Sequence, residues 1–341
     1  MADKKTSELT ELTSADAATD LLPVVDTSAD ETKKIRFSNL PLSDSAKNSV
    51  YPYTTDFHSA VEQTRNITAP LTYSQYYGDD TTLTSIYIGS SVPSIDLSAF
   101  VGCTALTNVT IGNGIASIGS NAFKNCTSLT RITIPDSVTS IGNEAFRECT
   151  DLTSITLPTN VNFTSIGNVA FYFCAGLTSI TIPDSVTYIG NGAFQNCDFT
   201  SITIPDSVST IKLRAFQGCD RVESLTLPNN AGFTTIEQFT FAELRALLSL
   251  TIPNTVTTIG LRAFRNLNAL TTVEIPSSVS SIGQEAFQFC TLLGTINCLA
   301  TTAPALGSNP FSGVAATEIH VPVGATGYGT TYGGLTVGSD L

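Results

Sequence analysis

The chain has no tryptophan, one methionine and only two histidines, His58 and His320. A catalytic triad or metal cluster built on histidine needs imidazoles gathered in one place, and these two lie far apart in sequence. Charge is also scarce. Only 13% of the 341 residues are Asp, Glu, Lys or Arg, and the balance is acidic, with a net charge of −13. Such a chain is repelled by nucleic acid and by anionic membrane surfaces, so neither is an expected partner. No uninterrupted apolar run reaches membrane-spanning length, so membrane insertion is not expected. Met1-Ala2-Asp3-Lys4-Lys5-Thr6-Ser7 leads into no apolar segment of the kind that drives Sec export. No Cys-x-x-Cys pair occurs among the eight cysteines, and no glycine pattern fits a phosphate or dinucleotide loop. No cofactor is expected.

What the chain has is repetition. Ile132-Thr133-Ile134-Pro135-Asp136-Ser137-Val138-Thr139-Ser140-Ile141-Gly142-Asn143-Glu144-Ala145-Phe146 returns almost verbatim from Ile180 to Phe194. The closing phenylalanines are Phe100, Phe123, Phe146, Phe171, Phe194, Phe216, Phe241, Phe264 and Phe287, at spacings of 23, 23, 25, 23, 22, 25, 23 and 23 residues. A period of this size marks a solenoid, in which each coil buries its apolar face only against its neighbours. The template is Leu-x-x-Ile-x-Ile-Pro, a turn, Val-x-x-Ile-Gly, then x-x-Ala-Phe-x-x-Cys. Its first part alternates apolar and polar residues and predicts a short strand with one buried face. Proline closes that strand in seven coils, where its missing N–H costs least. Glycine after Ile suggests a tight turn or a positive φ. Ala-Phe-x-x-Cys is too short for a stable isolated helix, so a single helical or 3₁₀ turn is expected there. The expected fold is a parallel β-sheet of short strands with those turns on the other side, in nine to ten coils of ~23 residues stacked ~4.8 Å apart.

The template resembles the BspA-like subfamily of leucine-rich repeats. That resemblance implies a curved solenoid, adhesion or recognition of protein or glycan, and no catalytic activity. A second resemblance lies in residues 1–45. Ser7-Glu8-Leu9-Thr10-Glu11-Leu12, Asp20-Leu21-Leu22-Pro23-Val24-Val25-Asp26 and Glu31-Thr32-Lys33-Lys34-Ile35 are similar to the N-terminal segment of tailed-phage fibre and virion structural proteins. The resemblance implies a virion location, with Leu21, Leu22, Val24, Val25 and Ile35 as attachment residues, virion structural proteins as partners, and a homo-oligomer, a trimer by analogy with phage fibres. The alternative is a cellular surface adhesin or interaction scaffold. The expected division is 1–45 attachment segment, 46–82 linker and N-terminal cap, 83–311 solenoid, and 312–341 C-terminal cap.

The interior columns carry no chemistry. Seven cysteines stand three residues after a repeat Phe, but Leu244 and Leu267 take that position in two coils. A site that accepts Leu is an apolar core site, so the thiols should be buried and reduced. The carboxylates Glu144 and Glu148 fall on a polar coil surface, where solvation explains them. Outward strand positions are nearly uniform Ser and Thr, expected on a concave face, and β-propensity alone accounts for them. Candidates for recognition of a host-surface protein or glycan are therefore departures from the template. They are Arg131 among the Ser/Thr positions, and the aromatics Tyr172, Phe173, Tyr188 and Phe289. Asn160 and Asn230 lie in two bulged turns that carry two extra residues each. Arg214 and Arg262 belong to a basic cluster with Lys212, Arg221, Arg245 and Arg265. In both bulged turns a Phe, Phe163 or Phe233, replaces the usual Val and should fill the opened space.

Overall fold

Ile86 and Ile88 point inward from the strand Ser85–Ile88, and the same two columns recur as Ile132 and Ile134, Ile202 and Ile204, Val273 and Ile275. They bury one face of a parallel strand, while Ser, Thr and Asn on the other face stay in solvent. In a computed structural model, the backbone of Thr64–Ile67 and residues 79–341 in full are described, and they fall in one unit, Gln63–Leu341. First-side strands pair in parallel, coil to coil, with Ser85 opposite Asn108 and Arg131 opposite Ser154.

A second side also forms a sheet. The residues before each coil's glycine make two-residue strands, such as Ser117–Ile118, Ser140–Ile141, Ser165–Ile166 and Tyr188–Ile189, that pair in parallel with their counterparts. The glycine that follows has an ordinary φ. It is required by proximity: a Cβ on Gly142 would lie 2.5 Å from Ser120 N, in the preceding coil. The positive φ read from the sequence at this position is thus replaced by a close-approach requirement. Where Lys212 and Glu237 stand instead, the second-side sheet breaks between Thr210–Ile211 and Thr235–Ile236.

The third side corrects the expected helical or 3₁₀ turn. No helix occurs among the described residues. Each Ala-Phe-x-x-Cys segment has two left-handed residues, one before the Ala and one before the Cys: Glu144 (φ 58°) and Glu148 (φ 60°), Val169 (φ 57°) and Phe173 (φ 56°). Reversal of φ at every fourth residue prevents a helical run. It also turns every second N–H toward the next coil, so Glu144, Phe146 and Glu148 donate to the carbonyls of Asn168, Ala170 and Tyr172. The third side is therefore a hydrogen-bonded ladder like the sheets, and backbone groups that a short helix would leave unpaired are satisfied by stacking.

The core is a column of rings. Phe100, Phe123, Phe146, Phe171, Phe194, Phe216, Phe241, Phe264, Phe287 and Phe311 stack face to face, with centroids 5.3–6.0 Å apart, so the column counts ten coils. A cysteine column runs beside it. Cys149 Sγ donates to Phe123 O at 3.1 Å and Cys174 Sγ to Phe146 O at 3.1 Å. All eight thiols are free and buried, and burial pushes Cys174 and Cys219 up to about 12.

The bulged turns are braced internally. Asn160 Nδ2 donates to Val138 O at 2.8 Å, and its Oδ1 accepts from Asn162 N at 2.8 Å. Asn230 repeats this with Val208 O and Gly232 N, both 2.8 Å. Phe163 and Phe233 beneath them are fully buried, as the sequence suggested. The first-side sheet stops at Ser154–Thr156 and again at Ser224–Thr226, the strands that lead into the bulges. At the C-terminus, Glu318–Val321 and Leu335–Ser339 continue the first-side sheet in parallel, and Thr331–Tyr332 closes it as an antiparallel edge. Tyr328 and Tyr332 hydroxyls donate to Ala300 O (2.7 Å) and Pro304 O (2.5 Å), which ties the cap to the last coil.

Candidate recognition surface

Both sheets present nearly uniform hydroxyl surfaces. The third side does not, because its two left-handed positions point side chains outward and vary from coil to coil. The second of them, two residues after the repeat Phe, is Gly102, Asn125, Asn196, Gly218, Asn266 and Gly313 in six coils, residue types that tolerate positive φ. In coils 4 and 9 it is Phe173 and Phe289, 44% and 42% exposed. Holding a bulky side chain left-handed costs roughly 1–2 kcal/mol, and exposing a ring adds no core stability.

Each ring has a fixed setting. The Arg147 guanidinium lies 5.2 Å over the Tyr172 ring, and Tyr172 contacts Phe173 with centroids 6.2 Å apart. Arg147 is itself held by Glu144 at 3.0 Å and Glu148 at 2.9 Å. Glu144 also accepts from Lys124 Nζ at 2.8 Å. The Lys124 hydrogen bond, helped by Arg147, keeps the Glu144 carboxyl below its usual range. A shallow cleft of 310 Å³ opens here between Thr127, Glu148, Thr150, Tyr172 and Phe173. In coil 9, Arg265 lies 5.3 Å over the Phe289 ring. That ring rests on coil 10, where a Cβ at Gly313 would come within 2.7 Å of Phe289 Cδ1.

The basic cluster is largely spent within the coils. Phe239 is stacked between Arg214 (5.1 Å) and Arg262 (5.5 Å). Arg262 also binds Glu285, and that hydrogen bond holds the Glu285 carboxyl below its usual range. Lys212 pairs with Glu237, Arg221 with Asp198, and Arg245 with Asp220 and Glu243. Phe239 was not singled out in the sequence, although its place two residues before a repeat Phe, where other coils have Ser, Asn, Glu, Val, Gly or Arg, marked it as the one aromatic departure.

The remaining candidates do not join this surface. Arg131 is exposed on the first side in the strand Arg131–Thr133. Tyr188 is half-buried on the second side. Asn160 and Asn230 commit their side chains to their own turns. Only Tyr172, Phe173, Phe289, Arg214 and Arg262 share the third side. Leu21, Leu22, Val24, Val25 and Ile35 lie outside the described residues. Among the described residues no three His, Cys, Asp or Glu side chains group as metal ligands, and no helix is long and apolar enough to cross a membrane.

The chain matches a family model described as BspA type leucine rich repeat region, in segments 72–198, 164–293 and 223–330. No curated protein matches it. Among solved structures, it is similar to a leucine rich cell surface protein from Faecalibacterium prausnitzii, at 29% identity and a TM-score of 0.51, over 77% of this chain and 83% of that one. It is also similar to the pneumococcal vaccine antigen PcpA, at 20% identity and a TM-score of 0.50, over 76% and 78% of the two chains; that likeness concerns the fold alone. A leucine-rich repeat protein from Bacteroides ovatus aligns at 25% identity and a TM-score of 0.49, over 77% and 79%. With ten coils on one template and a family match spanning most of its length, the chain belongs to the BspA-type leucine-rich-repeat family.

Proposed function

We propose that this chain is a non-catalytic surface-recognition protein that presents the third side of its solenoid to a protein or glycan on another surface. The observation that carries the reading is the pair Phe173 and Phe289: two exposed rings, one packed on Tyr172 and one under Arg265, at left-handed positions where six other coils have Gly or Asn. Rigid aromatics are the usual anchors of recognition surfaces. The carboxylates of this side favour the same reading, since Glu144 and Glu148 are engaged by Arg147 rather than poised for acid–base work. The cell-surface description of the F. prausnitzii relative agrees with it. Nucleic acid and membrane insertion are not part of the proposal, and it needs no cofactor.

The test is binding of the purified full-length chain to intact bacterial cells. Saturable binding that falls in a Phe173→Asn, Phe289→Asn double variant and survives in Arg131→Ala supports the reading. No cell binding across a broad panel of hosts overturns it.

The finer reading places the protein on a tailed-phage particle as a fibre or other virion component, a homo-oligomer and, by analogy with phage fibres, a trimer. It rests on the resemblance of residues 1–45 alone. The protein should then be found in purified virions and be lost from them when residues 1–45 are removed; its absence from virions sinks the reading. In that case surface labelling of a producing cell should reveal the alternative, a cellular adhesin. The exposed rings would serve equally as a subunit contact. A full-length mass that drops from oligomer to monomer in the double variant would favour that use over recognition.

A further inference from the structure

We propose that the third side between coils 4 and 9 is a track for a neutral, unbranched carbohydrate chain, with Phe173 and Phe289 as the stacking platforms at its ends. The proposal rests on the recognition reading above and specifies its ligand.

The residues between the platforms point to sugar rather than to a protein partner. The outward positions carry the amides Gln195, Asn196, Gln217, Asn266 and Gln288 beside the mutually engaged side chains of Arg214, Phe239 and Arg262, and the exposed leucines of these coils, Leu248 and Leu292, lie after the segment that holds the rings. Gln195 Nε2 donates to Gln217 Oε1 at 3.3 Å, and Gln217 Nε2 donates to Glu243 Oε1 at 3.2 Å, so two amides and a carboxylate form an aligned row that spans coils 5 to 7. Amides offer a donor and an acceptor each, which matches the paired character of sugar hydroxyls. An aromatic face matches the C–H face of a pyranose. On the third side the two occur together, at and between the exposed rings.

Both platforms are set before any ligand arrives. Arg147, clamped by two carboxylates, fixes Tyr172 and through it Phe173. Arg265 fixes Phe289. A fixed ring loses little rotamer freedom on binding, which suits weak stacking contacts repeated along a chain. At the first platform the cleft also holds the Thr127 and Thr150 side chains and the second carboxylate oxygen of Glu148, as Arg147 uses Oε1. In the coil before Glu148, Asn125 Oδ1 is closed to solvent without a protein partner. At the second platform the same is true of Arg265 Nε and Gln288 Oε1. Neutrality follows from the pairing. Cations near the first platform are already matched, and a net charge of −13 repels acidic chains.

Geometry sets the length. Phe173 and Phe289 occupy one column five coils apart. With coils stacked about 4.8 Å apart, the rings stand about 25 Å apart, the reach of about six pyranose units.

The test uses the full-length protein and neutral oligosaccharides, the malto-, cello-, xylo- and manno-series, from one to eight units. One series should bind, and its affinity should rise with length up to about six units and then level off. Phe173→Asn and Phe289→Asn should each weaken it about tenfold. Asn is the residue that other coils carry at this position, so these variants keep the fold, whereas Phe173→Trp keeps the platform and should keep the affinity. The proposal is overturned if no series binds at about 10 mM, if binding is confined to acidic chains, or if the Asn variants bind like the parent. If the protein attaches to cells while no neutral chain binds, recognition stands and the carbohydrate track falls. If it attaches to no cell, the broader reading fails with it.

Discussion

Val169 holds a φ of +57° although it is β-branched. That conformation is among the least comfortable for such a side chain, and ladder bonds from its N–H to Asn191 O (2.8 Å) and to Val169 O from Tyr172 N (3.2 Å) keep it there. Val169→Asn should therefore stabilise the protein by about 1 kcal/mol, read as an increased denaturation midpoint in urea. The left-handed positions were not legible in the sequence, because Glu, Arg, Val and Phe fill them alongside Asn and Gly, and no local residue preference announces them. The interior columns were legible, because Phe and Cys recur at a fixed offset and Leu replaces Cys without penalty. Burial that pushes the thiols upward predicts that a disulfide-exchange reagent at pH 8 finds none of the eight reactive in native protein and all of them in urea. Phe146→Ala should cost about 3–5 kcal/mol, since it opens a gap inside a stack with neighbours on both sides. Glu144 gives a pH signature. Its folded-state pKa is depressed by Lys124 first, so its contribution is complete above the ordinary value of 4.5 and is lost as pH falls through the lower folded value. Lys124→Met should reduce stability near neutral pH and flatten the decline in acid, measured as unfolding free energy against pH.

At the scale of the element, the two bulged turns and the pair Lys212 and Glu237 decide where sheets run and where they stop. The bulges were plain in the sequence as 25-residue spacings, and so was the use of Phe163 and Phe233 as filling. Their effect on the sheet was not, because pairing depends on how the next strand is delivered rather than on its own residues: Ser179 and Thr181 match the template, yet no strand forms there. Asn160→Ala or Asn230→Ala removes a side chain that serves as both donor and acceptor inside its turn. Each should cost about 1–2 kcal/mol and leave recognition by the third side unchanged. The second-side break has a different cause. It falls where Lys212 and Glu237 replace the glycine whose missing Cβ lets neighbouring coils approach. Replacing both by Gly should join the two second-side sheets, and amide exchange at Ile236 and its neighbours should slow. The second sheet itself escaped the sequence reading, which gave Val-x-x-Ile-Gly no strand; a two-residue strand has no periodicity to display.

Across the whole molecule, each coil touches only the coils on either side, so stability is close to a sum of coil and interface terms. The ends then matter more than their length suggests. Tyr328, Tyr332 and the strand Glu318–Val321 cover the last coil, and removing residues 318–341 should expose Phe311 and Cys298 and give a chain that aggregates or loses its final coils, seen by light scattering and amide exchange. The charge arrangement became readable only at this scale. Six cations in coils 6 to 8 looked like an open basic patch, but all six meet an acid or a ring from a neighbouring coil.

The column of left-handed positions has one more consequence. Because Phe173 and Phe289 sit in the same column, the distance between them can change only in whole coils. Loss or gain of one 23-residue unit between them would shift one ring against the other by a single notch while every coil kept its neighbours and its register. The solenoid is in that sense a ruler whose graduations are set by the fold, and whose markings can be moved by recombination between nearly identical stretches such as 132–146 and 180–194.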